Sequence, residues 1–460
     1  MRTRPLLLTF LLYSTFSSGV IAQSINAVPY DSLAQQIVKE ALGSNKSYEM
    51  LSDLCTTIGH RLSGSPEAAK AVRWAEKRME EFGFDHVHLE PVMVPHWVRG
   101  PIEQAYVEQP SGEGESLTIA ALGGTIGTPQ GGISGEVLEV ASFDELRAIG
   151  DKAKGKIIFF NRPMDRTLIN TFEAYGRAVG QRWAGAIEAA RVGGVAALVR
   201  SVTTRRDDVP HTGSMGYVDS VQKVPSAALS ILGAERLHTL LASGKPVRVH
   251  MELSAQTLPD VESANVIGEL KGTEKPEEVI VVGGHLDSWD KGQGANDDGA
   301  GCVQSIEALR LLKALGLQPK RTIRAVMFMN EENGLRGGIA YAQKERPGEK
   351  TIAAIESDMG SFQPMGFGIS DSVAYEKLLR WAPLFRFIGA DHFERGGGGS
   401  DISPLARQGV PLLDLVPAMQ RYFDYHHSDN DTIENVNERE LALGAAALAI
   451  LTYVIAQEGL

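Results

Sequence analysis

Three short apolar runs in the second half of the chain each end in a cluster of histidine, aspartate or glutamate, and this constrains the fold more than any other feature. The run 279–282 closes on Gly283-Gly284-His285. The run 322–329 closes on Asn330-Glu331-Glu332, and a third, within TIAAIESDMGS, closes on Asp358. Short β-branched runs of this kind are the pattern of strands buried in a parallel sheet. Open α/β sheets bind ligands just beyond the carboxyl ends of their strands. The clusters therefore stand where chemistry is expected.

The residue types suit metal ions. His285, Asp297, Glu332, Asp358 and His427 supply the imidazoles and carboxylates that a pair of divalent ions needs, one of them to be shared. Asp287, two residues after His285, is a candidate to orient that imidazole. Adjacent Glu331 and Glu332 are costly at a strand end unless an ion compensates one of them, leaving the other as a proton acceptor. In YHHSDNDT, His427 is the expected ligand and Asp431 a candidate to orient it. Each cluster alone has an ordinary reading: His-x-Asp as a core or surface pair, Glu-Glu as a solvated helix start, Asp-Asp-Gly as a turn. Their joint occurrence after predicted strands favours a metal site.

Taken together, HLD, GANDDGAG, NEENG, SDMG and HHSDNDT resemble the family of zinc aminopeptidases and carboxypeptidases with two co-catalytic zincs, and within it the carboxypeptidase Q branch. The likeness extends upstream to LCTTIGHRLSGSPEAAKAVRWAEKRMEEFGF and covers nearly the whole mature chain. It implies two Zn²⁺ per subunit, with Asp297 bridging them. His285 and Asp358 would complete one site, Glu332 and His427 the other. Glu331 would be the general base and Asp287 the partner of His285. Choosing His427 over His426 follows the family's spacing, which leaves three residues before the Asp431-Thr432 pair. The resemblance also implies a cis peptide at Asp297-Asp298. Some branches place a tyrosine just before the Ser-Asp that is Ser400-Asp401 here. This chain has glycines at 396–399 instead, so the oxyanion-stabilising group stays open, with Ser400 and Asp401 as candidate substrate contacts.

The implied activity is hydrolysis of peptide bonds in short peptides, dipeptides foremost. The alternatives are an aminopeptidase trimming longer peptides, a single-zinc glutaminyl cyclase of related fold, and a catalytically inactive binding protein. A homodimer is implied by the same branch. The fold class expected is α/β: a mixed, mostly parallel sheet sandwiched by helices, with an inserted protease-associated domain. Gly-rich turns alternating with short strands such as KGKIIFF and GGVAALV place that insert at 117–254, between catalytic segments 23–116 and 255–460.

With 460 residues and a net charge of −12, the chain does not suit a nucleic-acid or anionic-membrane partner. Arg2, Arg4, an apolar stretch at 6–13 and Ala22 read as a secretory signal peptide over 1–22, hence a secreted or periplasmic protein. The apolar stretch at 441–456 is too short for a membrane span and reads as a core helix, so no membrane anchor is expected. Cys55 and Cys302 could pair after export, or Cys302 could be a buried free thiol on a helix beginning near Gly299. Helices are expected over 31–41 and 66–82. His86 and His88 share a strand face without a third ligand nearby, and His211, in PHTGSMGY, reads as an exposed loop residue that could reach the active site.

Overall fold

A computed structural model describes residues 30–112 and 114–460; the expected signal peptide lies outside them. Alternation along the second apolar strand explains the architecture. In Lys275–His285, Ile280 and Val282 point into the largest core, while Val279 and Val281 point into a smaller one with Tyr341 and Leu405. A strand buried on both faces needs helices on both sides. The large core is closed by Asp31–Ser44, Lys46–Thr57, Ala300–Ala314 and Glu438–Glu458, the small one by Arg336–Gln343 and the 3₁₀ turn Ser403–Gln408.

The sheet runs Asp85–Val98, Gln256–Leu270, Arg321–Phe328, Lys275–His285, Lys350–Glu356, Leu412–Pro417, Pro364–Ile369, His392–Arg395. Its four central strands, from Arg321–Phe328 to Leu412–Pro417, are parallel; antiparallel pairings flank them. All four carboxyl ends therefore emerge on one edge.

The helix expected after Gly299 spans Ala300–Ala314, with Cys302, Ile306, Leu309 and Leu312 fully buried, and Gly316 follows it at φ +66°. The C-terminal helix, Glu438–Glu458, has 21 residues and the length and composition of a membrane span, but 89% of its most apolar window is buried inside the fold. It is a core helix. Cys55 and Cys302 are both free and buried; the Cys302 thiol contacts the His285 carbonyl at 3.1 Å. His86 and His88 stack on each other at 4.4 Å. Lys46–Thr57, a third N-terminal helix, was not singled out by periodicity.

A second eight-stranded sheet is built from residues 103–253, with KGKIIFF and GGVAALV supplying the adjacent parallel strands Ile157–Phe160 and Ala196–Arg200. Its strand Glu103–Val107 precedes residue 117. It pairs with Arg248–Leu253, so the sheet begins earlier than the change in sequence texture. Two cores hold it together, one around Ile157, Phe159 and Leu198 that also takes in Leu62, Trp97 and Trp289, the other around Ile158, Phe160 and Val199.

Candidate metal centre

His285 is the last residue of its strand, and Glu331-Glu332 and Asp358 follow the ends of the strands on either side of it. Asp297 comes from the loop entering helix Ala300–Ala314, and His427 follows the 3₁₀ turn Met419–Asp424. The five expected ligands converge. His285 Nε2 lies 3.3 Å from Asp297 Oδ1 and 3.2 Å from Asp358 Oδ1. On the other side of Asp297, His427 Nε2 lies 3.3 Å from Oδ2 and 3.1 Å from Glu332 Oε2. One oxygen of Asp297 thus serves each half, the placement a bridging carboxylate needs. His426 Nε2 is farther from Asp297, at 3.8 Å. The Asp297-Asp298 peptide is cis.

The geometry fits cations. His285 Nδ1 faces the Asp287 carbonyl oxygen at 3.0 Å, so Nδ1 carries the proton and Nε2 presents a lone pair to two carboxylates. Acceptors facing acceptors in a buried site need a positive ion between them. Asp297 Oδ2, buried, has no hydrogen-bond donor. Mixed imidazole and carboxylate donors suit zinc, and also manganese or cobalt.

Asp287 acts otherwise than its spacing suggests. Its carboxylate is 3.9 Å from His285 Nδ1, and the imidazole is held by its main-chain carbonyl instead. Its Oδ1 accepts the amides of Asn330 at 2.7 Å and Glu331 at 3.1 Å, fixing the loop that carries Glu331. Asp431 likewise does not orient His427. Its carboxylate accepts the amides of Asn296 and Asp297 at 2.7 and 3.1 Å and holds the bridging residue from behind its backbone. A short strand-end turn leaves main-chain amides unpaired, and these are the nearest donors for a buried carboxylate.

Glu331 and Ser400 line a cavity of about 560 Å³ that also touches Glu332, Trp97, Trp183 and Met215. Burial first, then the charges of Asp358 and Asp297, push the Glu331 carboxyl up to about 7, against His285, which lowers it. Asp401 is fully buried and neither of its oxygens has a partner; burial and the charge of Glu356 drive its carboxyl well up. It is not an open substrate contact, whereas Ser400 is exposed at the cavity.

The second sheet takes part. Thr212 N donates to the His427 carbonyl at 2.9 Å, and Ser214 Oγ to the Glu332 carbonyl at 2.6 Å. His211 is 2% exposed, not a surface residue, and its Nδ1 sits 2.7 Å from the His426 carbonyl. Arg182, from helix Gly180–Arg191, brings Nη1 within 3.3 Å of His427 Nδ1. Sequence reading missed Arg182, which sits unremarked in an ordinary helical pattern. It also missed Arg61, although GHRLSG carried it. Arg61 is fully buried and donates to the carbonyls of Leu286, Gln293 and Gly294 at 2.6–2.8 Å, tying together the loops that present His285 and Asp297.

Residues 265–453 match the model of peptidase family M28. Carboxypeptidase Q of Mus musculus is 38% identical over 453 residues, covering 96% of this chain and 94% of its own length. The crystal structure of a peptidase M28 precursor from Shewanella amazonensis superposes with a TM-score of 0.89 at 34% identity, covering 94% of this chain and 97% of that one. A zinc aminopeptidase from Bacillus subtilis shares the fold, with a TM-score of 0.66 at 20% identity over 90% of this chain and 95% of its own.

Proposed function

Because this chain belongs to peptidase family M28 and is a metallopeptidase homologous to carboxypeptidase Q, we propose that it hydrolyses short unblocked peptides, dipeptides foremost, with two zinc ions per subunit. The observation that carries the reading is the shared Asp297, one oxygen toward His285 and Asp358, the other toward His427 and Glu332, with Glu331 beside them. When bound, the ions supply the positive charge that polarises a scissile carbonyl and makes water nucleophilic at neutral pH.

The chain's own groups supply positioning and proton transfer. Asp287 fixes the peptide of Glu331, so its carboxylate faces the cavity with little freedom. A Glu331 carboxylate oxygen takes one proton from the attacking water, whose oxygen forms the new bond to the carbonyl carbon. The same oxygen then gives that proton to the nitrogen of the breaking C–N bond, and the water's second proton follows to the released amine, so a carboxylate and an ammonium leave. The Glu331 carboxyl holds that proton between the two transfers. Ser400 faces the same space and is the candidate hydroxyl contact to substrate.

Export to the periplasm or outside the cell, a homodimeric state and the identity of the second sheet as a protease-associated domain belong to the same proposal. They are supported by the N-terminal residues, the carboxypeptidase Q relatives and the strand pattern of 103–253.

Product analysis tests the reading. The zinc-loaded protein is incubated with unblocked dipeptides, longer peptides and their N-acetylated forms. Cleavage confined to unblocked dipeptides is the expected result; stepwise trimming of longer peptides would make the protein an aminopeptidase. Glu331→Gln should keep its metal and lose roughly 10²–10⁴-fold in kcat. Wild-type turnover in that variant would remove Glu331 as the base.

A further inference from the structure

A second cavity, of about 320 Å³, opens on the Asp358 side of the centre and meets the first at Ser400. Its lining is unusual. Glu356, Asp358, Glu394 and Asp414 contribute carboxylates, Phe172 and Met419 contribute apolar wall, and no Lys or Arg is among the lining residues described. Glu394 is exposed at the mouth, Asp414 is 6% exposed and Glu356 is 1% exposed, so carboxyl groups continue from surface to interior.

Asp358 faces His285 and Glu394 lies 3.2 Å from His392 Nε2, but Glu356 and Asp414 are not consumed by the fold. Glu356 Oε2 accepts the Ile402 amide at 3.0 Å, but Oε1 is buried with no partner. Asp414 accepts a single amide, from Gly398 at 2.9 Å. The nearby Arg395 is turned away, paired with Glu376 and lying over the Tyr375 ring. The glycines at 397–399 permit the close approach. A Cβ at Gly397 would sit 2.0 Å from Asp414 Oδ1, and one at Gly399 would sit 2.0 Å from the Glu356 carboxyl carbon. A buried acceptor with no donor is costly unless a ligand completes it.

An ammonium or guanidinium on an aliphatic stem has the matching chemistry: apolar walls for the methylenes, carboxylates for the head. Charge also orients the substrate. The C-terminal residue of a dipeptide carries a carboxylate, which Glu394 and Asp414 repel; the N-terminal residue carries an ammonium, which they attract. The larger cavity, with Trp97, Trp183 and Met215, is left for the C-terminal residue.

We infer that the smaller cavity receives a cationic side chain, lysine or arginine, of the substrate's N-terminal residue, selected by Glu356 and Asp414. This rests on the peptidase reading above, and its test separates the two. Lysyl-leucine, arginyl-leucine, norleucyl-leucine and glutamyl-leucine are compared by kcat/KM. Norleucine keeps the lysine stem and lacks the charge. The cationic substrates should exceed norleucyl-leucine by about tenfold or more, the return of one charge-assisted hydrogen bond. Glutamyl-leucine should be the poorest. In Asp414→Asn the lysyl-to-norleucyl ratio should fall severalfold. Equal turnover of lysyl and norleucyl substrates would overturn the cation pocket and leave the peptidase reading standing. An unchanged ratio in Asp414→Asn would also overturn the assignment. If no dipeptide is cleaved, the dipeptidase reading fails, and calorimetry on zinc-loaded Glu331→Gln decides the pocket. There, L-lysinamide binding about tenfold tighter than L-norleucinamide supports it, and equal affinity overturns it.

Discussion

The two halves of the metal centre are held by different parts of the molecule. The His285 half belongs to the first sheet. His285 ends a central strand, its Nδ1 rests on the Asp287 carbonyl, and its amide donates to Asp298 Oδ2 at 3.0 Å. The His427 half leans on the segment that carries the second sheet: from its loop 211–214, Thr212 holds the His427 carbonyl and Ser214 the Glu332 carbonyl, and from its helix Gly180–Arg191, Arg182 reaches the His427 ring. Side chains at strand ends inherit the rigidity of the sheet. A ligand in a loop at left-handed φ, as His427 is at +60°, needs support from outside. The segment 103–253 thus supports the His427 half of the candidate site.

The comparison breaks most completely at Arg61, which serves both presenting loops. Arg61→Met should remove metal from both halves and destabilise the fold by roughly 3–5 kcal/mol, because several buried carbonyls lose their donor. Chemical denaturation and metal analysis check this; full metal content would show that the loops hold themselves. His427→Ala comes next and should cost only its own half, so metal content falls by half while the His285 half stays filled. His426→Ala should lose less, as its Nε2 stands farther from Asp297. The reverse order would exchange the two histidines.

Gly213→Ala sharpens the comparison further, because it presses on the His427 half alone. A Cβ there would lie 2.5 Å from Arg182 Cζ and 2.7 Å from His427 Nδ1, at a φ of +131°. We expect metal affinity of the His427 half to weaken about 10–100-fold, as when a supporting contact is lost, with the other half unaffected. Equal loss from both halves would show that the second sheet supports the whole centre.

The same asymmetry explains what the sequence revealed. His285, Glu331, Glu332 and Asp358 were legible because each follows a β-branched run, and the run itself announces a buried strand. The long helices were legible from apolar periodicity. The supports were not. Asp287 and Asp431 were identified as residues near the imidazoles, but their partners are main-chain amides, and no spacing rule distinguishes a carboxylate facing a ring from one facing a turn. Arg182 and residues 211–214 reach the centre from a helix and a loop far away along the chain, and such contacts leave no local period. His211 read as exposed for that reason: it is buried, and its Nδ1 meets the His426 carbonyl, a partner more than 200 residues away.

The smallest expected effect on the centre comes from a site outside both halves. Glu90, on edge strand Asp85–Val98, is 5% exposed and bonded by Arg346 at 2.7 Å to both oxygens, with Lys344 at 3.0 Å. Burial opposes its ionisation, but His88, Lys344 and Arg346 together hold its carboxyl down to about 2, from an ordinary 4.5. A carboxyl depressed on folding stabilises above its unfolded range, and that contribution is lost as the pH falls from about 4.5 toward 2. Glu90→Gln should therefore lower stability by about 2 kcal/mol at neutral pH and flatten the acid limb of the stability profile. Metal content and kcat should stay at wild-type values, since no bond of Glu90 leads to either presenting loop. A fall in metal content would mean that occupancy follows overall stability, and the difference between the halves would then have to be measured at matched stability.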